Sequence, residues 1–69
     1  MRLSARNQLK GTIVEITEGA VNGIVKIDVN GQIISSVITM ASIKELGLQP
    51  GKEAYAIIKA SNVIIGVDD

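Results

Sequence analysis

The chain has 69 residues, enough for one domain spanning 1–69 but few for a self-sufficient core. With no cysteine and no histidine, disulfides and the usual transition-metal ligands are excluded as supports, which leaves oligomerisation. A hydrophobic content of 46% points the same way, and seven cations balanced by seven carboxylates leave no net field to draw nucleic acid or an anionic membrane.

Isoleucine and valine dominate and Tyr55 is the single aromatic residue, a mixture that favours strands. The first predicted strand runs from Gln8 to Thr17, with Val14 and Ile16 on one face and Glu15 and Thr17 on the other. Glu18 to Gly23 reads as a turn. A second strand covers Ile24 to Val29, where Val25, Ile27 and Val29 alternate with Lys26 and Asp28. Asn30-Gly31 is a strong hairpin signal, because a type I′ turn needs positive φ at both central residues. Gln32 to Ile38 then returns antiparallel.

Ser42 and Glu45 have capping-box spacing, so a short helix is expected from Ile43 to Leu46 or Gly47, with Gly47 as its stop. Pro50-Gly51 turns the chain into a fourth strand, Glu53 to Lys59. A fifth strand, Val63 to Val67, precedes the solvated Asp68-Asp69. The expected fold class is therefore all-β: a small five-stranded OB-like barrel with one short helix between strands three and four.

Little in this sequence suits catalysis. Glu15 and Glu18 are the closest carboxylates, and they flank a strand end where solvation explains them. No nucleophilic triad or paired acid is visible, so no enzyme is expected. Nucleic-acid binding through an OB-type surface needs a basic groove and stacking platforms, against which stand one tyrosine and a neutral chain. The glycines show no phosphate-cradling spacing. No run reaches the ~20 apolar residues of a membrane span, and an N-terminus without an apolar export core favours the cytoplasm.

Two polar segments stand apart. Ser4-Ala5-Arg6-Asn7 lies near the start, and Lys59-Ala60-Ser61 interrupts two β-branched runs near the end. Each joins one cation to small hydroxyl or amide donors, and neither holds a carboxylate. Such a set donates hydrogen bonds and supplies positive charge, which suits an anion. A frayed terminus and a tight hairpin loop would also account for them, but Arg6 and Lys59 have no acidic neighbour in sequence. Thr39 and Ser42, at the start of the expected helix, add two hydroxyls. For Ser42, helix capping and anion binding compete for the same group.

Ser-Ala-Arg-Asn-Gln-Leu-Lys-Gly at 4–11, with Ile-Lys-Ala-Ser-Asn-Val at 58–63, resembles the molbindin family of single molybdate-binding Mop domains. The resemblance covers nearly the whole chain. It implies an OB-like barrel assembled as a homohexamer, a trimer of dimers, that binds molybdate or tungstate at subunit interfaces for intracellular storage or homeostasis. By position, Ser4, Ala5, Arg6 and Asn7 would form one wall of the oxyanion site. Lys59, Ala60 and Ser61 would form another, with Thr39 and Ser42 contributing from the helix start. No catalytic cofactor is implied, and molybdenum or tungsten would enter only as the oxyanion. The other expectation is a non-enzymatic interaction or assembly module related to the Mop domains of molybdate regulators or transporters. Against it, no linker, ATPase segment or helix-turn-helix flanks the domain.

Overall fold

The computed structural model describes all residues, Met1–Asp69. The elements in order are β1 (Asn7–Thr17), β2 (Asn22–Val29), β3 (Gln32–Thr39), α1 (Met40–Glu45) and β4 (Glu53–Ile58), followed by a single 3-10 turn, Ala60–Asn62. The four strands form one antiparallel sheet in the order β3-β2-β1-β4. β1 is the shared strand. Its first half, Asn7 to Thr12, pairs with β4, and its second half, from Thr12 to Thr17, pairs with β2. This handover curls the sheet in the manner of an OB-type fold, and side chains from both edge strands, β3 and β4, line one common cleft of about 210 Å³.

The core is small. Ile13, Val25, Ile27, Ala56 and, from the helix, Ile43 are its buried side chains. Period-2 alternation places Val25 and Ile27 inward on β2 as expected. On β1 the expectation fails: Val14 is exposed, while Ile13 is 0% exposed and Ile16 is half-buried. The cause is a bulge, because the register steps from Ile13↔Ile27 to Glu15↔Lys26. The extra residue, Val14, shifts the parity, so Ile13 and Ile16 both face the core.

The β2–β3 hairpin forms as its turn sequence requires, with φ of 51° at Asn30 and 89° at Gly31. The Asp28 carboxylate accepts from the Gly31 N–H at 2.7 Å and fixes the turn. The helix begins earlier than expected. β3 stays paired up to Thr39↔Asn22, and the Met40 N–H donates to the Val21 carbonyl at 2.8 Å. The N-cap is therefore Thr39, whose hydroxyl accepts from the Ser42 N–H at 3.1 Å. Ser42 occupies the third helical position instead of the cap. Gly47 ends the helix as expected, with φ 63°. Its N–H reaches Lys44 O and the Leu48 N–H reaches Ile43 O, the two bonds of a Schellman motif.

The fifth strand is absent from the sheet, which has four strands. The 3-10 turn bonds Asn62 N–H to Lys59 O and Val63 N–H to Ala60 O, and no residue beyond Val63 makes a backbone hydrogen bond. Ile64 is 92% exposed, and Ile65 and Val67 are each 82% exposed. A β-branched run supplies strand propensity, but a strand also needs an edge to pair with. Within this protomer the chain leaves β4 without finding one.

Candidate functional site

The outer end of the β1–β4 ladder brings the two polar segments together. Asn7 is the register partner of Ile58, and its side-chain amide donates to the Ile58 carbonyl at 3.1 Å. One step further out along each chain stand Arg6 and Lys59. Both cations therefore flank this end of the ladder, just past its last register pair. Both are exposed.

Neither cation has an acidic partner within ion-pair distance. The two salt bridges lie elsewhere: Lys10 to Glu53 at 3.4 Å and Lys26 to Glu15 at 3.5 Å. The latter gives Glu15 a surface ion-pairing role. Lys52 donates to the Gly47 carbonyl at 3.1 Å. Arg6 and Lys59, like Arg2 and Lys44, are left without an acidic partner.

Backbone geometry supports a donor role here as well. Lys59 is extended, and the 3-10 turn starts at Ala60. The first acceptor used inside that turn is Lys59 O, taken by Asn62 N–H, so the Ala60 and Ser61 N–H groups find no acceptor within it. Ser61 adds a hydroxyl. On the other segment, Ser4 is exposed and Ala5 half-buried. The Gln8 side chain donates to the Ala5 carbonyl at 3.2 Å, which holds the segment against the start of β1. Gln8 is a positioning residue that sequence reasoning left out of the site. Its signal was its place directly after Asn7 in the first motif.

Thr39 and Ser42 lie at the other end of the sheet. Thr39 pairs with Asn22, beyond the Thr17↔Ile24 end of the β1–β2 ladder. Asn7 begins β1, some ten residues away, roughly 33 Å along the strand path. The two hydroxyls are joined: Thr39 Oγ1 donates to Ser42 Oγ at 2.9 Å while accepting from the Ser42 N–H. That leaves the Ser42 O–H as the outward donor of the pair. Within one protomer the two polar segments start from the same end of the β1–β4 ladder, and Thr39 and Ser42 lie toward the other end of the sheet.

The largest concavity, about 560 Å³, is lined by Ile16, Glu18, Met40 and Lys44 among others. Its carboxylate and apolar walls suit a dianion poorly. The ladder end has the better donor chemistry.

Residues 3–65 match the TOBE domain. A probable molybdenum-pterin-binding protein of Haemophilus influenzae is 56% identical over 69 residues, covering 99% of this chain and 100% of the relative. A molybdate-binding protein from Sporomusa ovata superposes with a TM-score of 0.93 at 33% identity, covering 97% of this chain and 100% of that one. The cytoplasmic molybdate-binding protein ModG, in a molybdate-bound crystal form, gives a TM-score of 0.92 at 52% identity, with 99% of this chain matching 49% of that one. A TOBE-type domain with a donor-rich ladder end and these relatives defines the class: the chain belongs to the molbindin family of small Mop proteins.

Proposed function

We propose that this protein binds molybdate, with tungstate accepted as a near isostere, at sites shared between subunits, and serves intracellular storage or homeostasis without catalysing a reaction. The observation that supports this reading is the Asn7–Ile58 pairing, which brings the two donor-rich segments to one end of the sheet, with neither Arg6 nor Lys59 in a salt bridge. The molybdate-binding names of the relatives point to the same ligand.

Molybdate is a tetrahedral dianion near neutral pH and only accepts hydrogen bonds, so a fitting site presents donors and no carboxylate. Arg6 supplies directed, charge-assisted bonds and Lys59 a compact charge. Asn7, the hydroxyls of Ser4 and Ser61 and the N–H groups around Ala5 and Ala60 fill the remaining directions. Thr39 and Ser42 join only if a second subunit brings its opposite sheet end to this one. A homohexamer built as a trimer of dimers in the cytoplasm fits that requirement.

The test is thermal denaturation with molybdate, tungstate, sulfate and phosphate at matched concentration and ionic strength. Molybdate and tungstate should raise the melting temperature by similar amounts through mass action, and well above sulfate. Equal shifts for molybdate and sulfate would sink the proposal.

A further inference from the structure

The same tripeptide, Val-Asn-Gly, occurs twice in β2 and its turn, as Val21-Asn22-Gly23 and Val29-Asn30-Gly31. Asparagine before glycine can react with its own chain, because glycine has no side chain to shield its amide nitrogen. That nitrogen gives up its proton and adds to Cγ of the asparagine. The side-chain amide nitrogen takes the proton and leaves as ammonia, closing a five-membered succinimide. Water then opens the ring at either carbonyl, leaving aspartate or isoaspartate. One water is consumed and one ammonia released, with no oxidant or reductant.

The fold treats the two copies differently. Ring closure needs a backbone free to bring the glycine nitrogen onto the asparagine side chain. Asn22 and Gly23 are held in the β2–β3 ladder opposite Thr39 and Ile38, and the adjoining Val21 carbonyl accepts from the Met40 N–H at 2.8 Å. Gly23 is also buried, with Ile43 and Met40 side-chain atoms 2.7 and 2.9 Å from where its Cβ would stand. Asn30 and Gly31 are exposed in the turn, and nothing beyond the chain neighbours lies within 4 Å of the Gly31 Cβ position. What restrains the reacting nitrogen there is its hydrogen bond to the Asp28 carboxylate at 2.7 Å. That bond keeps the proton on the nitrogen, and the carboxylate's charge opposes the amide anion that must form.

We infer that Asn30 is a self-modification site, converted to aspartate and isoaspartate, and that Asp28 is the brake on its rate. Either product alters the hairpin. A carboxylate at position 30 enters a polar cleft shared with Lys10, Asp28 and Glu53. Its only cation, Lys10, is already paired with Glu53 at 3.4 Å. Isoaspartate also adds a carbon to the main chain, lengthening a two-residue loop that closes at the Val29↔Gln32 pair. The tip of the β2–β3 hairpin therefore loosens as the molecule ages. This inference is independent of the ligand.

The test incubates anion-free protein in mildly alkaline buffer and maps its peptides by mass spectrometry, which reads the exchange of NH2 for OH at each asparagine. The expected result is modification of Asn30 far ahead of Asn22 in the folded protein, and similar rates at both in denaturant. Asp28→Ala should speed Asn30 about tenfold or more, as expected from losing a hydrogen bond to a charged group, and leave Asn22 slow. A fast Asn22 would mark an unfolded variant. Asp28→Asn, which keeps the acceptor oxygen and drops the charge, then decides by the same comparison. Asn22 reacting as fast as Asn30 in the folded wild type overturns the inference. So does a preference for Asn30 that persists in denaturant, or an Asn30 rate unchanged by both Asp28 variants.

Discussion

Replacing Arg6 by alanine separates a ligand-binding charge from a structural one, because the two roles move stability in opposite ways. Arg6 and Lys59 both flank the Asn7–Ile58 end of the ladder, and neither is in a salt bridge. Two like charges as close as about 6 Å would repel by only roughly 0.7 kcal/mol in a water-like dielectric, and salt reduces this further. Arg6→Ala should therefore leave the anion-free melting temperature unchanged or raise it slightly.

With molybdate the sign reverses. Wild-type protein at an anion concentration ~100 times Kd gains about 2.7 kcal/mol per site. Losing hydrogen bonds to a charged ligand costs on the order of 1.5–3 kcal/mol, which weakens binding by about 10- to 150-fold. At the same anion concentration the variant then gains only about 0.3–1.4 kcal/mol. For a domain of this size 1 kcal/mol moves the midpoint by about 4–8 °C, so the ligand-induced shift should fall by about half or more. Differential scanning fluorimetry with and without molybdate, on wild type, Arg6→Ala and Lys59→Ala, reads both quantities. If Arg6→Ala lowers the anion-free midpoint and keeps the full molybdate shift, Arg6 is structural and the site is misplaced.

Gly11→Ala should destabilise the fold by about 1–3 kcal/mol through overpacking, since its Cβ would lie 2.4 Å from the Asp28 carbonyl oxygen, which belongs to the backbone of β2. Chemical denaturation reads this, and a midpoint indistinguishable from wild type would contradict the close approach. Thr39→Ala in anion-free protein should cost about 1 kcal/mol by removing the helix N-cap, whereas Thr39→Ser should restore most of it. Equal loss in both variants would mean that the methyl group matters and the cap does not.

The elements legible in sequence were those specified by neighbouring residues. Asn30-Gly31 names its own turn, Gly47 its helix end, and the alternation in β2 its inward face. The failures share a cause, which is dependence on distant partners. Ile13, Val14 and Ile16 admit two parities, and only pairing with β2 places the bulge at Val14. Ser42 and Glu45 make a plausible box, but the ladder from Asn22 to Thr39 carries β3 past the expected end and hands the cap to Thr39. Val63 to Val67 has strand chemistry and no edge of its own. In the candidate site, donor chemistry was legible from residue types alone. The backbone pairing that brings the two segments to one end of the sheet was not, because it joins Asn7 to Ile58, 51 positions apart.

The separation of Thr39 and Ser42 from Arg6 and Lys59 along the sheet has a consequence for how the protein would respond to its own abundance. A pocket built by one chain holds ligand with the same affinity at any dilution. One that draws donors from opposite sheet ends exists only while chains are associated, so its apparent affinity depends on protein concentration as well as on the anion. Titrations at falling protein concentration would then show capacity disappearing collectively near the assembly constant. In a cell, synthesis of the chain would set both how many sites exist and how tightly each one holds.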